Sequence, residues 1–281
     1  MAIKIAVMNQ KGGVGKSSVV HCLTDKLREK GRVLVLDLDQ QNNQQTLLNM
    51  RDNVSKEASA AGILMNGFDP RKCIIPVSRN VDLIHSGGRT IENFDRFSKD
   101  DSEKISTQLK RAMHDVEDDY DFILMDSSPT MTLIHQNIVC YADFLLIPCD
   151  MDILSFSATR SIMHFIGALN SKVPWSKAEI LGILPVRYDK RRNVDDLVMT
   201  DLLSLEENDL LGGAKVFSPI SDSANMKTTQ VRRKFISEAF PKSRISEDFD
   251  RVVSQILEEI PKRTPKVPRT ALGKGEISAW N

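Results

Sequence analysis

The chain is poor in cysteine, and its few cysteines lie far apart. Cys22, Cys73, Cys140 and Cys149 form no C-x-x-C pair, and no cluster combines them with the five histidines at metal-ligand spacing. This spacing excludes a zinc ribbon or a similar cysteine-rich metal site. We therefore expect four reduced, buried thiols.

Net charge and long apolar runs are also lacking. Lysine plus arginine and aspartate plus glutamate number 38 each, so the net charge is zero and any basic surface must be local. No apolar run approaches the roughly 20 residues that a membrane-spanning helix needs. The first residues offer no apolar core for a signal peptide, so we expect a cytoplasmic protein.

Apolar and amphipathic stretches alternate along the chain. Strands are predicted over residues 4–8, 32–37, 121–126, 144–148 and 180–184, and helices near 16–30, 100–117, 154–169, 194–205 and 246–260. Repeated β-α alternation predicts an α/β fold with a doubly wound, mainly parallel sheet flanked by helices.

Two regions depart from this alternation. Residues 50–100 are the least regular, and Gly87-Gly88-Arg89 predicts a loop there. From residue 261 onward prolines alternate with lysines and arginines. We expect one domain over residues 1–260 and an extended or disordered basic tail over 261–281.

The segment between the first strand and the first helix, residues 9–18, reads NQKGGVGKSS. An ordinary phosphate loop, G-x-x-x-x-G-K-[ST], has glycine where this chain has Gln10. A glycine-rich turn that opens a helix nevertheless presents backbone N–H groups to phosphate. Lys16 is expected to bridge the β- and γ-phosphates of a nucleotide and the Ser17 hydroxyl to bind Mg²⁺. The predicted nucleotide-binding residues of this loop are Lys11, Gly12, Gly13, Val14, Gly15, Lys16, Ser17 and Ser18.

Lys11 is a second cation in the same loop. The start of such a loop lies away from the chain's own γ-phosphate, so we expect Lys11 to act on the nucleotide of a second copy. An inserted cation can contribute about 10³ to 10⁵ in the rate of phosphoryl transfer. The loop therefore predicts a homodimer that forms on ATP binding, with two nucleotides buried face to face.

The stretch KGGVGKS resembles the deviant Walker A motif of the ParA/MinD family of ATPases, whose first lysine acts across a nucleotide-sandwich dimer. The family's D-x-D-P-Q-G-N is matched by DLDQQNN at residues 37–43, and its D-x-P-P by Asp-Ser-Ser-Pro at residues 126–129. The resemblance implies that Asp39 positions or activates the attacking water and that Asp126 holds Mg²⁺ through water. Catalytic Lys11, Lys16 and Asp39, metal-binding Ser17, Asp39 and Asp126, and the cofactors ATP and Mg²⁺ follow from it. Gln40 and Asn42 depart from the usual proline and glycine.

Two later segments extend the resemblance to about residue 260. Residues 142–148, ADFLLIP, resemble A-D-x-x-L-I-P, and residues 182–189, GILPVRYD, resemble the G-I-L-P-N-x-x-D stretch near the adenine. Val186 stands where many relatives have asparagine, so adenine recognition is expected to use backbone groups and apolar stacking. The predicted nucleotide-binding residues here are Pro185, Val186, Pro219 and Ile220.

Family members divide into those whose ATP-bound dimer holds DNA and those that hold membrane. The end of this chain has three prolines and no apolar helical stripe, so we expect no membrane partner. ParA-like partition of plasmid or chromosomal DNA is favoured, with non-specific DNA binding on the nucleoid and hydrolysis stimulated by a ParB-like adaptor. No room precedes the first strand for a helix-turn-helix, and Asp222 falls where many partition ATPases have arginine. The predicted DNA-binding residues are Arg187, Lys190, Arg191, Arg192, Lys227, Arg232, Arg233 and Lys234.

Four alternatives stay open at this point. The chain could position another cargo, such as a carboxysome or a chemoreceptor array. A MinD-like membrane-associated ATPase and an iron–sulfur relative with paired cysteines at the dimer axis are two others. A catalytically dead binding module is the last, and the presence of both Asp39 and Asp126 argues against it.

Overall fold

The computed structural model describes residues 1–50, 54–94, 105–173, 176 and 178–263. Eight strands form one sheet in the order β3-β4-β2-β5-β1-β6-β7-β8. All neighbouring strands in it are parallel except β3 and β4. The strands are β1 (Ile3–Val7), β2 (Val33–Leu38), β3 (Ile75–Ser78), β4 (Val81–Ile84), β5 (Phe122–Ser127), β6 (Phe144–Asp150), β7 (Glu179–Val186) and β8 (Lys215–Val216).

Helices cover both faces of this sheet, which confirms the predicted doubly wound α/β fold. The helices are α1 (Lys16–Leu27), α2 (Asn43–Leu47), α3 (Ala60–Asn66), α4 (Gln108–Met113), α5 (Leu133–Tyr141), α6 (Ile153–Lys172), α7 (Asn193–Glu207), α8 (Ala224–Arg232), α9 (Ile236–Ala239) and α10 (Arg244–Arg263). Alternate side chains of each strand point to opposite faces, so Ala6 packs with α3, α4, α5 and α6, whereas Ile5 packs with α1 and α10. Both faces are therefore buried, and β2 is apolar along nearly its whole length.

The region that looked irregular in the sequence holds α3 and the hairpin strands β3 and β4. β3 is an edge strand that tolerates Pro76 and has no apolar run to reveal it. The predicted loop at Gly87-Gly88-Arg89 begins with two left-handed glycines, φ 84° and 64°, and then tightens into a 3₁₀ helix over Gly88–Asn93.

Two predicted boundaries meet the limits of the described residues. Of the helix expected over 100–117, the described part is Gln108–Met113, and its expected N-cap residues lie outside the described residues. α10 continues through Pro261 to Arg263, past the expected end of the domain at residue 260. Arg263 donates hydrogen bonds to the carbonyls of Ile180 (2.8 Å) and Gly213 (2.7 Å), which fixes this last turn against β7. The rest of the predicted tail, 264–281, lies outside the described residues, within which no helix is long and apolar enough to span a membrane.

Candidate nucleotide site

Three neighbouring strands, β2, β5 and β1, bring the predicted chemistry to one edge of the sheet. In the ladder Asp126 is paired with Val7 on one side and with Asp37 on the other. The glycine loop follows β1, and Asp39 comes directly after the end of β2. The loop and both motif aspartates therefore share the crevice at the carboxyl ends of the strands, as predicted.

The glycine loop has the backbone that its sequence requires. Gly13 and Gly15 have φ of 74° and 97°, a conformation that side-chain-bearing residues rarely adopt. α1 begins directly after Gly15, whose carbonyl accepts the hydrogen bond of Val19 N–H at 2.9 Å. The N–H groups of a helix's first turn have no intrahelical partner, so this turn can bind an anion.

Asn9 is a buried residue of this loop that sequence reasoning missed. Its Nδ2 donates to the carbonyl of Pro148 at 2.7 Å, and its Oδ1 accepts from Lys11 N–H at 2.9 Å. The side chain thereby ties the start of the loop to β6. A single asparagine after an apolar strand carries no pattern that would have marked this role.

Lys16 lies at the centre of the site, with its Nζ 3.2 Å from the carbonyl oxygen of Lys11. Burial lowers the pKa of its ammonium group, and the charges of Asp126 and Asp39 oppose that effect. Asp126 is fully buried, and burial raises the pKa of its carboxyl to about 6. Burial, followed by the neighbouring charge of Asp126, also raises the pKa of Asp37 well above its usual value. One lysine thus faces an acidic cluster, a balance that an anionic nucleotide with a divalent cation would change.

A tight turn holds Asp39. Asn42 N–H donates to the Asp39 carbonyl at 2.9 Å, and Gln41 N–H donates to Asp39 Oδ1 at 3.0 Å. Gln40 occupies the second position of this turn, where proline is favoured but many residues fit. Asn42 has φ 52°, a left-handed conformation that asparagine tolerates better than most residues. The two departures from the family motif are therefore compatible with the same turn.

Gln44 is a second residue that sequence reasoning missed. It is fully buried at the start of α2, and its Nε2 donates to Asp126 Oδ2 (2.8 Å) and to the Ser17 carbonyl (2.9 Å). Its backbone N–H donates to Asp37 Oδ2 at 2.8 Å. Nothing in the sequence marked it, because it lies one position beyond the resembling motif.

The side chains around Asp126 fit a magnesium ion. Asp126 Oδ1 and Gln44 Oε1 are buried oxygens without a hydrogen-bond partner, and Asp126 also interacts with the Ser17 hydroxyl. Mg²⁺ prefers such oxygens, and in nucleotide sites it keeps waters and takes phosphate oxygens rather than a complete protein cage. In keeping with this, the described residues contain no group of three or more His, Cys, Asp or Glu side chains that could hold a metal.

Lys11 points to a different place from Lys16. Its ammonium forms an ion pair with Asp152 at the start of α6 and lies 3.7 Å from Asp150 Oδ2. Arg187 also pairs with Asp150, with its Nε at 3.1 Å from Oδ1. Lys11 is thus held by carboxylates of its own chain, whereas Lys16 interacts with Asp39 and Asp126.

The residues predicted near the adenine come together. Ile220 N–H donates to the carbonyl of Pro185 at 2.9 Å, which joins Pro185 and Val186 to Pro219 and Ile220 at the carboxyl end of β7. Val186 and Ile220 are buried apolar side chains. These contacts suit the expected apolar environment.

Comparison with known proteins agrees with this geometry. The family model described as "AAA domain" matches residues 2–179, which is more than half of the chain. The chain belongs to this family. Members of this kind are nucleotide-hydrolysing P-loop ATPases.

Relatives confirm the resemblance to the ParA/MinD ATPases. The virulence plasmid ParA family protein pGP5-D of Chlamydia psittaci is 24% identical over 255 residues, covering 90% of this chain and 93% of that protein. The sporulation initiation inhibitor protein Soj of Bacillus subtilis is 27% identical over 204 residues, covering 70% and 78%. The AAA domain of this chain therefore belongs with ParA-like ATPases.

Solved structures of similar fold carry nucleotides. An aspartate-to-alanine variant of Cyanothece McdA in complex with ATP aligns with a TM-score of 0.78 at 18% identity, covering 92% of this chain and 96% of that one. Cobyrinic acid a,c-diamide synthase from Mycobacterium smegmatis with ADP and magnesium aligns at 0.76 and 21% identity, covering 95% and 98%. At these identities the likeness concerns the fold of the ATPase.

The eight basic residues predicted to bind DNA form two different groups in this AAA domain. In the first group, Arg187 pairs with Asp150 and Arg191 with Asp189. Arg192 pairs with Asp222 at 2.8 Å, so the aspartate that departs from the partition ATPases neutralises a neighbouring arginine. Lys190 is exposed beside them.

The second group lies on and just after α8. Lys227, Arg232, Arg233 and Lys234 are all exposed, and the Arg232 guanidinium lies 5.6 Å from the centre of the Phe240 ring. Among the described residues no ion pair joins these four side chains to a carboxylate. We call these four residues the α8 basic cluster. Its positive charge is less compensated than that of the first group.

The four cysteines are free and buried, as expected. Burial raises the pKa of the Cys22, Cys73 and Cys149 thiols. Buried, protonated thiols are poor metal ligands. The alternative of an iron–sulfur centre between two copies of this ATPase is therefore disfavoured.

Proposed function

We propose that this chain is a ParA-like ATPase that binds ATP with Mg²⁺, dimerises on binding ATP and is reset by hydrolysis. The observation that carries the proposal is the division of labour between the two lysines of one loop. Lys16 faces Asp39 and Asp126, whereas Lys11 is held at the start of α6. A cation held outside the chain's own acidic cluster suits a role toward a second copy.

In the proposed site the chain's own residues bind and orient the triphosphate. The loop from Gly12 to Ser17 supplies N–H groups at the start of α1, and the ammonium of Lys16 balances the negative charge of the phosphates. Asp39, fixed by its turn, would orient the attacking water. Lys11 of the second copy would stabilise the charge that develops on the γ-phosphate, as an inserted cation does in phosphoryl transfer.

Magnesium would be held by Ser17 and, through water, by Asp126, which present oxygens to the same space. When bound, Mg²⁺ neutralises phosphate charge. The buried acidic residues also explain why the chain would need the cation. Without a cation they would repel the phosphate groups.

We infer that the dimer binds DNA without sequence preference, mainly through the α8 basic cluster. Its lysines and arginines lie on one exposed surface without carboxylate partners among the described residues. Binding through phosphate contacts weakens steeply with salt because counterions are released. Measuring retention on random-sequence DNA with ATP, ADP or no nucleotide tests this inference, and equal affinity in all three states would refute it.

Partition of plasmid or chromosomal DNA is the cargo function that we propose, with an adaptor of the ParB type that stimulates hydrolysis. The names of relatives support it: a virulence plasmid ParA family protein, and a chromosome partitioning protein ParA of Myxococcus xanthus. Adding the product of a neighbouring gene to an ATPase assay that contains DNA is the direct test of stimulation.

Three substitutions test the nucleotide cycle. Lys16→Ala should abolish nucleotide binding, whereas Lys11→Ala should keep it and lose the dimer. Asp39→Ala should trap the ATP-bound dimer. Size-exclusion chromatography with ATP and Mg²⁺ separates these outcomes, and a dimer that persists unchanged in Lys11→Ala contradicts the proposed role of that lysine.

A further inference from the structure

The fully buried side chain of Gln44 joins three segments around the acidic cluster. It connects α2 to the carboxylate of Asp126 at the end of β5 and to the backbone of Ser17 at the start of α1. Its backbone N–H also holds Asp37. No other role in the proposed nucleotide cycle accounts for a buried amide here.

Chemistry fixes the orientation of this amide. Both partners of Nε2, the Asp126 carboxylate and the Ser17 carbonyl, are acceptors, so the –NH₂ group must face them and uses both of its hydrogens. Gln44 Oε1 therefore points away from them. It is buried without a hydrogen-bond partner, and so is Asp126 Oδ1.

Two unpartnered buried oxygens on hydrogen-bonded side chains call for a ligand, because buried polar atoms are nearly always satisfied. We propose that Gln44 is a positioning residue for the magnesium ion of the nucleotide. Its N–H groups hold Asp126 Oδ2, which leaves Oδ1 for the water shell of the ion. Its own Oε1 accepts a hydrogen bond from a water of the same shell. The inference rests on the proposed function, which places ATP and Mg²⁺ at this loop.

The test compares the affinity for a fluorescent ADP analogue with Mg²⁺ and with EDTA. Gln44→Met keeps the length of the side chain but has no N–H donor and no oxygen. Partners that orient metal ligands typically contribute about 10- to 100-fold in metal affinity. We expect Gln44→Met to lose about tenfold of the tightening that Mg²⁺ gives, with affinity in EDTA within about twofold of wild type. Gln45→Met, one residue along the same helix, is the matched control and should behave like wild type.

Two results would overturn the proposal. One is a Gln44→Met protein whose Mg²⁺-dependent tightening equals that of wild type, and the other is an equal loss with and without Mg²⁺. A thermal melt shows whether the variant is folded, and Gln44→Glu, which keeps size and polarity but lacks N–H donors, should show the same selective loss.

Wild-type protein gives an independent readout. With ¹⁵N-labelled glutamine, a side-chain amide pair protected from hydrogen exchange should shift when Mg²⁺ is added to the ADP-bound protein. No such shift contradicts the proposal even if both variants unfold. If wild type failed to bind nucleotide at all, the proposed function would fall. Normal binding with an insensitive Gln44 would refute this inference alone.

Discussion

Replacing Asp152 by asparagine should strengthen the ATP-dependent dimer. In the single chain the Lys11 ammonium is paired with the Asp152 carboxylate, so a Lys11 that acts on a second copy must first leave this partner. Asparagine removes the charge and keeps the helix cap, because its oxygen can still accept from Ser155 N–H as Asp152 does at 2.8 Å. The substitution therefore isolates the ion pair.

The expected size of the effect follows from the exposure of the pair. The side chains of Lys11 and Asp152 are 25% and 40% exposed, so each pair should be worth about 0.2–1 kcal/mol. A symmetric dimer breaks two pairs, which gives about 0.4–2 kcal/mol, or about 2- to 30-fold in the dissociation constant. Asp150, at 3.7 Å, remains near Lys11 and moderates the gain.

Sedimentation equilibrium with Mg²⁺ and a non-hydrolysable ATP analogue measures that constant. Asp201→Asn, an exposed change on α7, is the matched control for the loss of one negative charge. The difference between Asp152→Asn and wild type should shrink at high salt, because ions screen exposed charges. A weaker dimer in Asp152→Asn would refute the reasoning, since it would mean that Asp152 itself serves the interface.

Three further predictions concern DNA, acid stability and the loop. Replacing Lys227 and Arg233 by alanine should flatten the salt dependence of DNA binding by about one logarithmic unit per residue, whereas replacing Lys190 and Arg191 should change it less, which fluorescence anisotropy at several salt concentrations would decide. His135 is buried and neutral, and burial lowers its pKa to about 4, so the unfolded chain takes up a proton below about pH 6.5 that the folded chain does not. Stability should therefore fall by about 2 kcal/mol from about pH 7.5 to about pH 5 through this group, and urea titrations should show that part of the loss missing in His135→Gln. The same pH dependence in both proteins would contradict this. Asn9→Ala should cost about 1–3 kcal/mol in unfolding free energy, because it leaves the Pro148 carbonyl and the Lys11 N–H without their partner, and a change below about 0.5 kcal/mol would argue against that contact.

The parts of the fold that rest on long apolar patterns could be predicted from the sequence. β2, β5 and β6 are buried on both faces and read as continuous apolar runs, so their positions were predicted within one or two residues. β3, with an exposed proline, and the short β4 carry no such run. Their position depends on pairing with β2 at the edge of the sheet, which is a tertiary contact that local patterns do not encode.

The site divides in the same way. Gly13, Gly15 and Lys16 could be predicted because a phosphate loop demands particular residue types at fixed spacing. Asn9 and Gln44 could not, because each acts through hydrogen bonds to residues far away in the chain. Their partners, Pro148 and Asp126, come close only when β1, β2, β5 and β6 assemble.

The basic residues show a third case. Both groups carry equal weight in the sequence, since neither composition nor spacing reveals which arginine has a carboxylate beside it. Arg192 and Asp222 are 30 positions apart and meet only through the loops that follow β7 and β8. Their pairing makes the α8 basic cluster the stronger candidate for the proposed DNA-binding surface.

The central claim is that Lys11 reaches from one chain to the nucleotide of another. Sedimentation velocity of wild type and Lys11→Ala, each with Mg²⁺ and a non-hydrolysable ATP analogue, tests it most directly. The account predicts a wild-type species of twice the 31.6 kDa chain mass and a Lys11→Ala species of one chain with the analogue bound. A Lys11→Ala protein that forms the dimer as wild type does, or a wild type that stays a single chain with the analogue bound, would contradict it.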